Sequence, residues 1–258
     1  MLKKLLKYDL RRVSPILLLV HPAILFFSFL SFAVMHILGI RPFDNIVSGI
    51  YATTVLIMIC VVTVFTNIYL GVSYYRSLYS DEGYLTNTLP VKASSLVFSK
   101  FLCGALWVFL DYLLVLLASV ILFDQEFGEF FHALSQKLTV QTVLICGIVI
   151  ITEILTSCLM VYCAVAIGSF FHGHRIMGCI GGYILLYLVN QILAFIVILP
   201  LFTTPFLTLT ADNGLASARE ILAWMNRGMG IIVCLNLVLG ILYYLICLHT
   251  LDKKLEMD

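Results

Sequence analysis

Charge is what this sequence has least of. Asp, Glu, Lys and Arg make up 11% of its 258 residues, against roughly 25% in an ordinary soluble domain. So little charge cannot keep a soluble surface wetted, and the exposed apolar patches would far exceed what soluble monomers tolerate. A net charge of +1 provides no basic field for a polyanion, which excludes a nucleic-acid binder. Neither GxxxxGKS nor GxxxxGKT occurs, so the chain has no phosphate loop with which to hydrolyse ATP. HExxH and a Ser-His-Asp arrangement are missing too, leaving no support for an intramembrane hydrolase. The eight cysteines lie in apolar runs without a CxxC pair, so they read as small packed residues rather than disulfides or metal ligands. His172 and His174 are too few for a metal site.

What the chain does have is hydrophobic length: 62% of its residues are apolar or aromatic. Crossing a hydrocarbon core of about 30 Å takes about 20 helical residues. Six continuous runs qualify, at about 15–40, 46–71, 95–123, 139–170, 176–200 and 229–250. They do not alternate as barrel strands do, and in lipid each backbone group must be satisfied within its own helix. The expected fold is all-α: one polytopic transmembrane domain over 1–258, with six transmembrane helices and an N-terminal interfacial amphipathic helix. The first run is too long for a cleaved signal peptide and is expected to remain as an anchor.

Over residues 1–13, Leu2, Leu5, Leu6, Leu10 and Val13 share one helical side, opposite Lys3, Lys4, Lys7 and Arg11. That pattern suits a helix lying among lipid headgroups; the alternative is a plain polybasic topology signal. Asp9 interrupts the apolar side, and Arg12 is within reach to pair with it. With a cytoplasmic N-terminus, eleven of the fifteen Lys and Arg residues fall on the inside, which favours both termini in the cytoplasm. Pro22 is expected to bend the first span, and His21 before it reads as interfacial or packed, with a proton relay as the alternative.

Between the second and third spans, Ser73 to Lys92 mixes Tyr74, Tyr75, Tyr79 and Tyr84 with Arg76, Asp81 and Glu82. Aromatic and Arg enrichment is the composition of a protein-docking surface, although an aromatic belt at the headgroups would share it. Gly83 permits a sharp reversal. Pro90 pushes Leu89 out of helical geometry, so that Ser94 or Ser95 could cap the third span, with Lys100 snorkelling to the interface. The outer segment 201–228 is read as broken by Pro200 and Pro205 and then carrying an amphipathic helix through Ala218, Ile221, Leu222 and Met225.

The stretch from Tyr75 to Phe101, with Asp81-Glu82-Gly83-Tyr84-Leu85, Thr88-Leu89-Pro90-Val91 and Ser99-Lys100, resembles the permease subunits of type-2 ABC transporters. These are six-span bacterial export permeases for peptides, lantibiotics or drugs. The resemblance implies a bacterial cytoplasmic membrane and a homodimer, or a heterodimer with a related permease. It also implies a separate ABC ATPase subunit that binds ATP and Mg, with no cofactor in this chain. In that family the loop carries a coupling helix seated in a groove of the ATPase. Carried over by position, the coupling residues are Tyr75, Arg76, Tyr79, Asp81, Glu82 and Gly83. The same resemblance implies short re-entrant helices in the outer segment, with a simple surface loop as the alternative.

Two acids, Asp111 and Glu153, lie deep within apolar runs. A carboxylate there costs about 2.5–3.5 kcal/mol on insertion scales, so each needs a partner or a proton. No Lys or Arg lies at matching depth, which leaves Tyr112, Asn67, Asn190 and Asn236 as partners. Two roles are open: lining a substrate pathway, or helix–helix hydrogen bonding. A proton- or ion-driven carrier using these acids, and a non-transporting scaffold or sensor, are the alternative functions; no internal repeat of the kind common in carriers is evident.

Overall fold

The computed structural model describes residues 2–39, 46–80, 83, 91–122, 132, 139–171, 175–211 and 218–257. Six long helices account for nearly all of them: α1 (Leu2–Leu38), α2 (Ile46–Leu78), α3 (Ala93–Leu122), α4 (Val140–Gly168), α5 (Arg175–Ala211) and α6 (Ala218–Met257). No strand occurs among the described residues. Each helix contains a stretch long and apolar enough to cross a membrane. The chain is an all-helical, multi-pass membrane protein.

The helices fall into two compact units, Met1–Lys137 and Leu138–Asp258. In the first unit α1 lies along α3, with α2 against both. Residues Val13, Leu17, His21, Ile24, Ser28 and Ser31 of α1 are buried, a spacing of threes and fours that forms one seam. Ile24, Ala52, Val55, Ile59 and Ala118 close an apolar cluster where the three helices meet. Contact between α1 and α3 keeps a nearly constant offset, 91 residues at Asp9–Lys100 and 90 at His21–Asp111. Two helices with a constant offset run parallel.

The second unit repeats this plan. Here α4 lies along α6, with α5 packed chiefly on α4. Cys146–Met229 and Glu153–Asn236 both have an offset of 83 residues, so α4 and α6 are also parallel. Small residues set the approach of α4 to α5: a methyl at Gly168 would lie 2.5 Å from Cys179 Cα, and one at Gly182 would lie 3.2 Å from the Ala164 carbonyl oxygen. Hydrocarbon gives apolar faces no reason to associate, so close backbone approach and polar contacts hold such helices together. At its start α4 is capped by Thr139, whose side-chain oxygen accepts from the Thr142 N–H at 3.3 Å.

Three sequence-based expectations need correction. Residues 2–13 are not a separate interfacial helix but the first turns of α1, which runs unbroken through Pro15 and Pro22. Asp9, which spoils the amphipathic pattern, faces α3 and ties this segment to it. Nor do Pro200 and Pro205 end the fifth helix, because α5 continues to Ala211; a proline removes one backbone donor, and the turns around it can stay helical. Residues 218–228 open α6 rather than forming a short helix of their own. Segment 201–228 is thus, among the described residues, the adjoining ends of two long helices.

Candidate functional site

The segment between α2 and α3 is built on two anchored ends. Helix α2 extends past the expected limit of the second span to Leu78, about 10 Å further along its axis. Its last turn is buried on one side: Tyr74, Ser77, Leu78 and Tyr79 lie inside the unit, and the Tyr74 and Tyr79 rings sit 6.0 Å apart. The N–H groups of Tyr79 and Ser80 donate to the Tyr75 carbonyl at 2.8 and 3.2 Å, and the Ser80 hydroxyl donates to the Arg76 carbonyl at 2.6 Å. The Gly83 N–H donates to the Ser80 carbonyl at 2.8 Å. A methyl at Gly83 would sit 2.8 Å from the Leu78 carbonyl carbon and oxygen, so only glycine fits this return of the chain.

The coupling candidates therefore separate. Arg76 is exposed, Tyr75 is half-buried, and Tyr79 and Gly83 are enclosed. Tyr79 holds the turn in place and does not offer its ring to a partner. Asp81 and Glu82 lie outside the described residues, as do 84–90 and the His172–His174 stretch.

The second anchor is the start of α3. It begins at Ala93, and the Lys92 carbonyl accepts from the N–H groups of Ser95 and Leu96 at 2.9 and 3.3 Å. Ser94 and Ser95 are thus inside the helix and do not cap it. One turn on, the Asp9 carboxylate of α1 accepts from the Ser99 hydroxyl at 2.7 Å and the Lys100 ammonium at 2.8 Å. Lys100 is buried against α1 and does not snorkel outward, and Asp9 pairs across the seam rather than with Arg12 as expected. Each foot of the segment is locked into the unit, one by buried aromatic packing and the other by an ion pair.

Deeper in the same seam lies a second polar cluster. Asp111 of α3 is 3% exposed and His21 of α1 is 5% exposed. His21 Nε2 and Asp111 Oδ1 are 2.5 Å apart, and the Thr66 hydroxyl of α2 donates to the same oxygen at 3.2 Å. The His21 ring stacks on Trp107, with centroids 5.5 Å apart and planes 11° from parallel. Asp111 Oδ2 and Trp107 Nε1 are buried with no hydrogen-bond partner among the described residues. None of the expected partners serves Asp111 in this way; the Asn67 amide donates to Thr63 of its own helix at 2.9 Å.

Glu153 does find an expected partner. The Asn236 amide donates to Glu153 Oε2 at 3.0 Å, while the Thr156 hydroxyl donates to the Asn236 carbonyl at 2.9 Å. Glu153 is half-buried where Asp111 is enclosed. None of the eight cysteines forms a disulfide. No group of three or more His, Cys, Asp or Glu able to hold a metal occurs among the described residues.

Sequence reasoning overlooked Asp9–Lys100 and His21–Asp111. Their signal was present only as four ionisable residues in apolar or half-apolar surroundings; the pairing needs the register of two helices some ninety residues apart. Comparisons with protein-family models, with curated proteins and with solved structures return no match for this chain.

Proposed function

We propose that this chain is the membrane-spanning subunit of an ATP-driven exporter. It would pair with a second copy or a related permease and be driven by a separate ATPase that docks on the segment between α2 and α3. ATP and Mg belong to that ATPase, since this sequence has no phosphate loop. Excess Lys and Arg beside that segment and both termini argues for a cytoplasmic location of all three, and the resemblance to type-2 ABC permeases implies a bacterial cytoplasmic membrane.

The observation that carries this reading is the double anchorage of the docking segment. A loop that transmits force must not absorb it by unravelling. Here a push would meet the buried Tyr74–Tyr79 turn on one side and the Asp9–Ser99–Lys100 contact on the other. Through Asp9 the start of α3 is tied to α1, so the three helices of the first unit would respond together. Exposed Arg76, with Asp81 and Glu82 following it in sequence, supplies the polar contacts to the partner; half-buried Tyr75 adds apolar area at the rim. Nucleotide drives such a cycle only if the ATPase favours one arrangement of the membrane subunits over the other.

The two acids take different parts in this reading. Asp111 is enclosed and bonded within its unit, so it serves the α1–α3 seam. Glu153, half-buried on α4, is the candidate for lining a substrate route.

Purification of the chain in mild detergent, followed by identification of an associated ATPase, tests the proposal. Arg76→Glu and Glu82→Arg should each lower recovery of that ATPase at least several-fold while leaving helical content unchanged. Full recovery in both variants, transport at full rate by the chain alone, or a tag in the 72–94 segment reached from outside the cell would each overturn it.

A further inference from the structure

We infer that Asp111, gripped by His21 and Thr66, is a proton-binding site within the membrane-spanning part of this protein. The ligand is a single exchangeable proton. Three observations lead there. First, the carboxylate is used on one side only: Oδ1 meets both His21 Nε2 and the Thr66 hydroxyl, while Oδ2 is buried without a donor. Second, the site is enclosed, with Asp111, His21 and Trp107 each less than 6% exposed, so bulk water does not meet the unmatched oxygen. Third, His21 lies flat on Trp107, and an aromatic face of that kind attracts a cationic ring.

Proton counting gives the site its two states. With one proton between His21 Nε2 and Asp111 Oδ1, the cluster carries a net charge of −1. A second proton, given up by hydronium when local opening of the helices admits water to the site, goes to Asp111 Oδ2 or His21 Nδ1 and makes the cluster neutral; the only bond broken is the O–H of the hydronium. Among the described residues, no Lys or Arg forms an ion pair with Asp111. From α2 the facing group is Thr66, which does not ionise. On α3 the flanking groups are Trp107 and, one turn before it, Cys103. Lys100, the nearest buried cation on α3, is eleven residues away, about 16 Å along the helix, and is engaged by Asp9 of α1. Proton occupancy therefore decides whether the His21–Asp111 pair holds a net charge. The inference stands apart from the exporter reading, because neither an ATPase nor a substrate enters it.

The sequence contains two tryptophans, Trp107 and Trp224, so Trp224→Phe makes Trp107 the sole indole reporter. An imidazolium stacked on an indole quenches its emission, and a protonated carboxyl shows its own infrared carbonyl band. The Trp224→Phe protein in lipid nanodiscs would be scanned from about pH 4.5 to about pH 9 by both methods. The expected result is a reversible one-proton transition in one or both signals, with the indole response lost in His21→Gln, the carboxyl band lost in Asp111→Asn, and any transition left in either variant displaced by at least about one pH unit. A pH-independent response of both signals in the Trp224→Phe protein overturns the inference without recourse to the other variants. So does a transition that survives unchanged in folded His21→Gln protein.

Discussion

Neutralising one end of the Asp9–Lys100 pair should cost far more than neutralising both. The two side chains are 18% and 9% exposed and 2.8 Å apart. Removing one partner of a buried pair typically costs about 3–5 kcal/mol, because the other charge is left without compensation. Some water reaches Asp9, and the Ser99 hydroxyl still donates to it at 2.7 Å, so Lys100→Met should fall below that range. We expect about 2 kcal/mol for Lys100→Met and about 3 kcal/mol for Asp9→Asn, which takes the carboxylate from the more enclosed ammonium. The double variant has no charge to strand and should lie within about 1 kcal/mol of the parent protein, since an apolar replacement of a buried pair is often neutral or stabilising. The resulting coupling is at least about 4 kcal/mol, roughly a thousandfold in the unfolding equilibrium constant. Reversible SDS unfolding in mixed micelles, followed by tryptophan emission, measures all four proteins. Single effects that add up in the double variant to within about 0.5 kcal/mol would refute the reasoning, and so would a Lys100→Met protein as stable as the parent.

Two further outcomes follow from close packing and from the half-buried acid. Gly168→Ala should destabilise by about 1–3 kcal/mol, because the added methyl meets the backbone of α5, whereas Gly181→Ala, with nothing within 4 Å, should be neutral or slightly stabilising; melting in detergent read by light scattering separates the two. Under the exporter reading, Glu153→Gln should lower substrate efflux several-fold with expression and ATPase association intact, and unchanged efflux would remove Glu153 from the route.

Much of the helical plan was legible because lipid allows so few backbone solutions. The starts of α2, α3, α4 and α5 fall within two residues of the runs read from hydrophobicity. The Glu153–Asn236 contact was among the expected ones, as an acid in an apolar run needs a donor and asparagine supplies one. Less was visible at the site. Tyr79 was counted with Tyr75 and Arg76 as a docking residue, yet it is packed inwards. Aromatic composition states that a surface or a core is being built; only the turn from Tyr75 to Gly83 decides which ring faces where. Lys100 was read as a snorkelling residue for the same reason, since a long basic side chain near a helix end suits either water or a buried acid.

Sequence alone determined that this protein lives in a bilayer as a bundle of long helices, since a chain with so little charge and six apolar runs has no other stable solution. It also determined that two acids would lie inside hydrocarbon and need partners. The tertiary structure decided who those partners are. It set α1 parallel to α3 and α4 parallel to α6, and so brought Asp9 to Lys100 and His21 to Asp111 across some ninety residues of chain. Hydrophobicity is a property of each segment, whereas register is a property of two packed surfaces, fixed by how their side chains and small residues interlock.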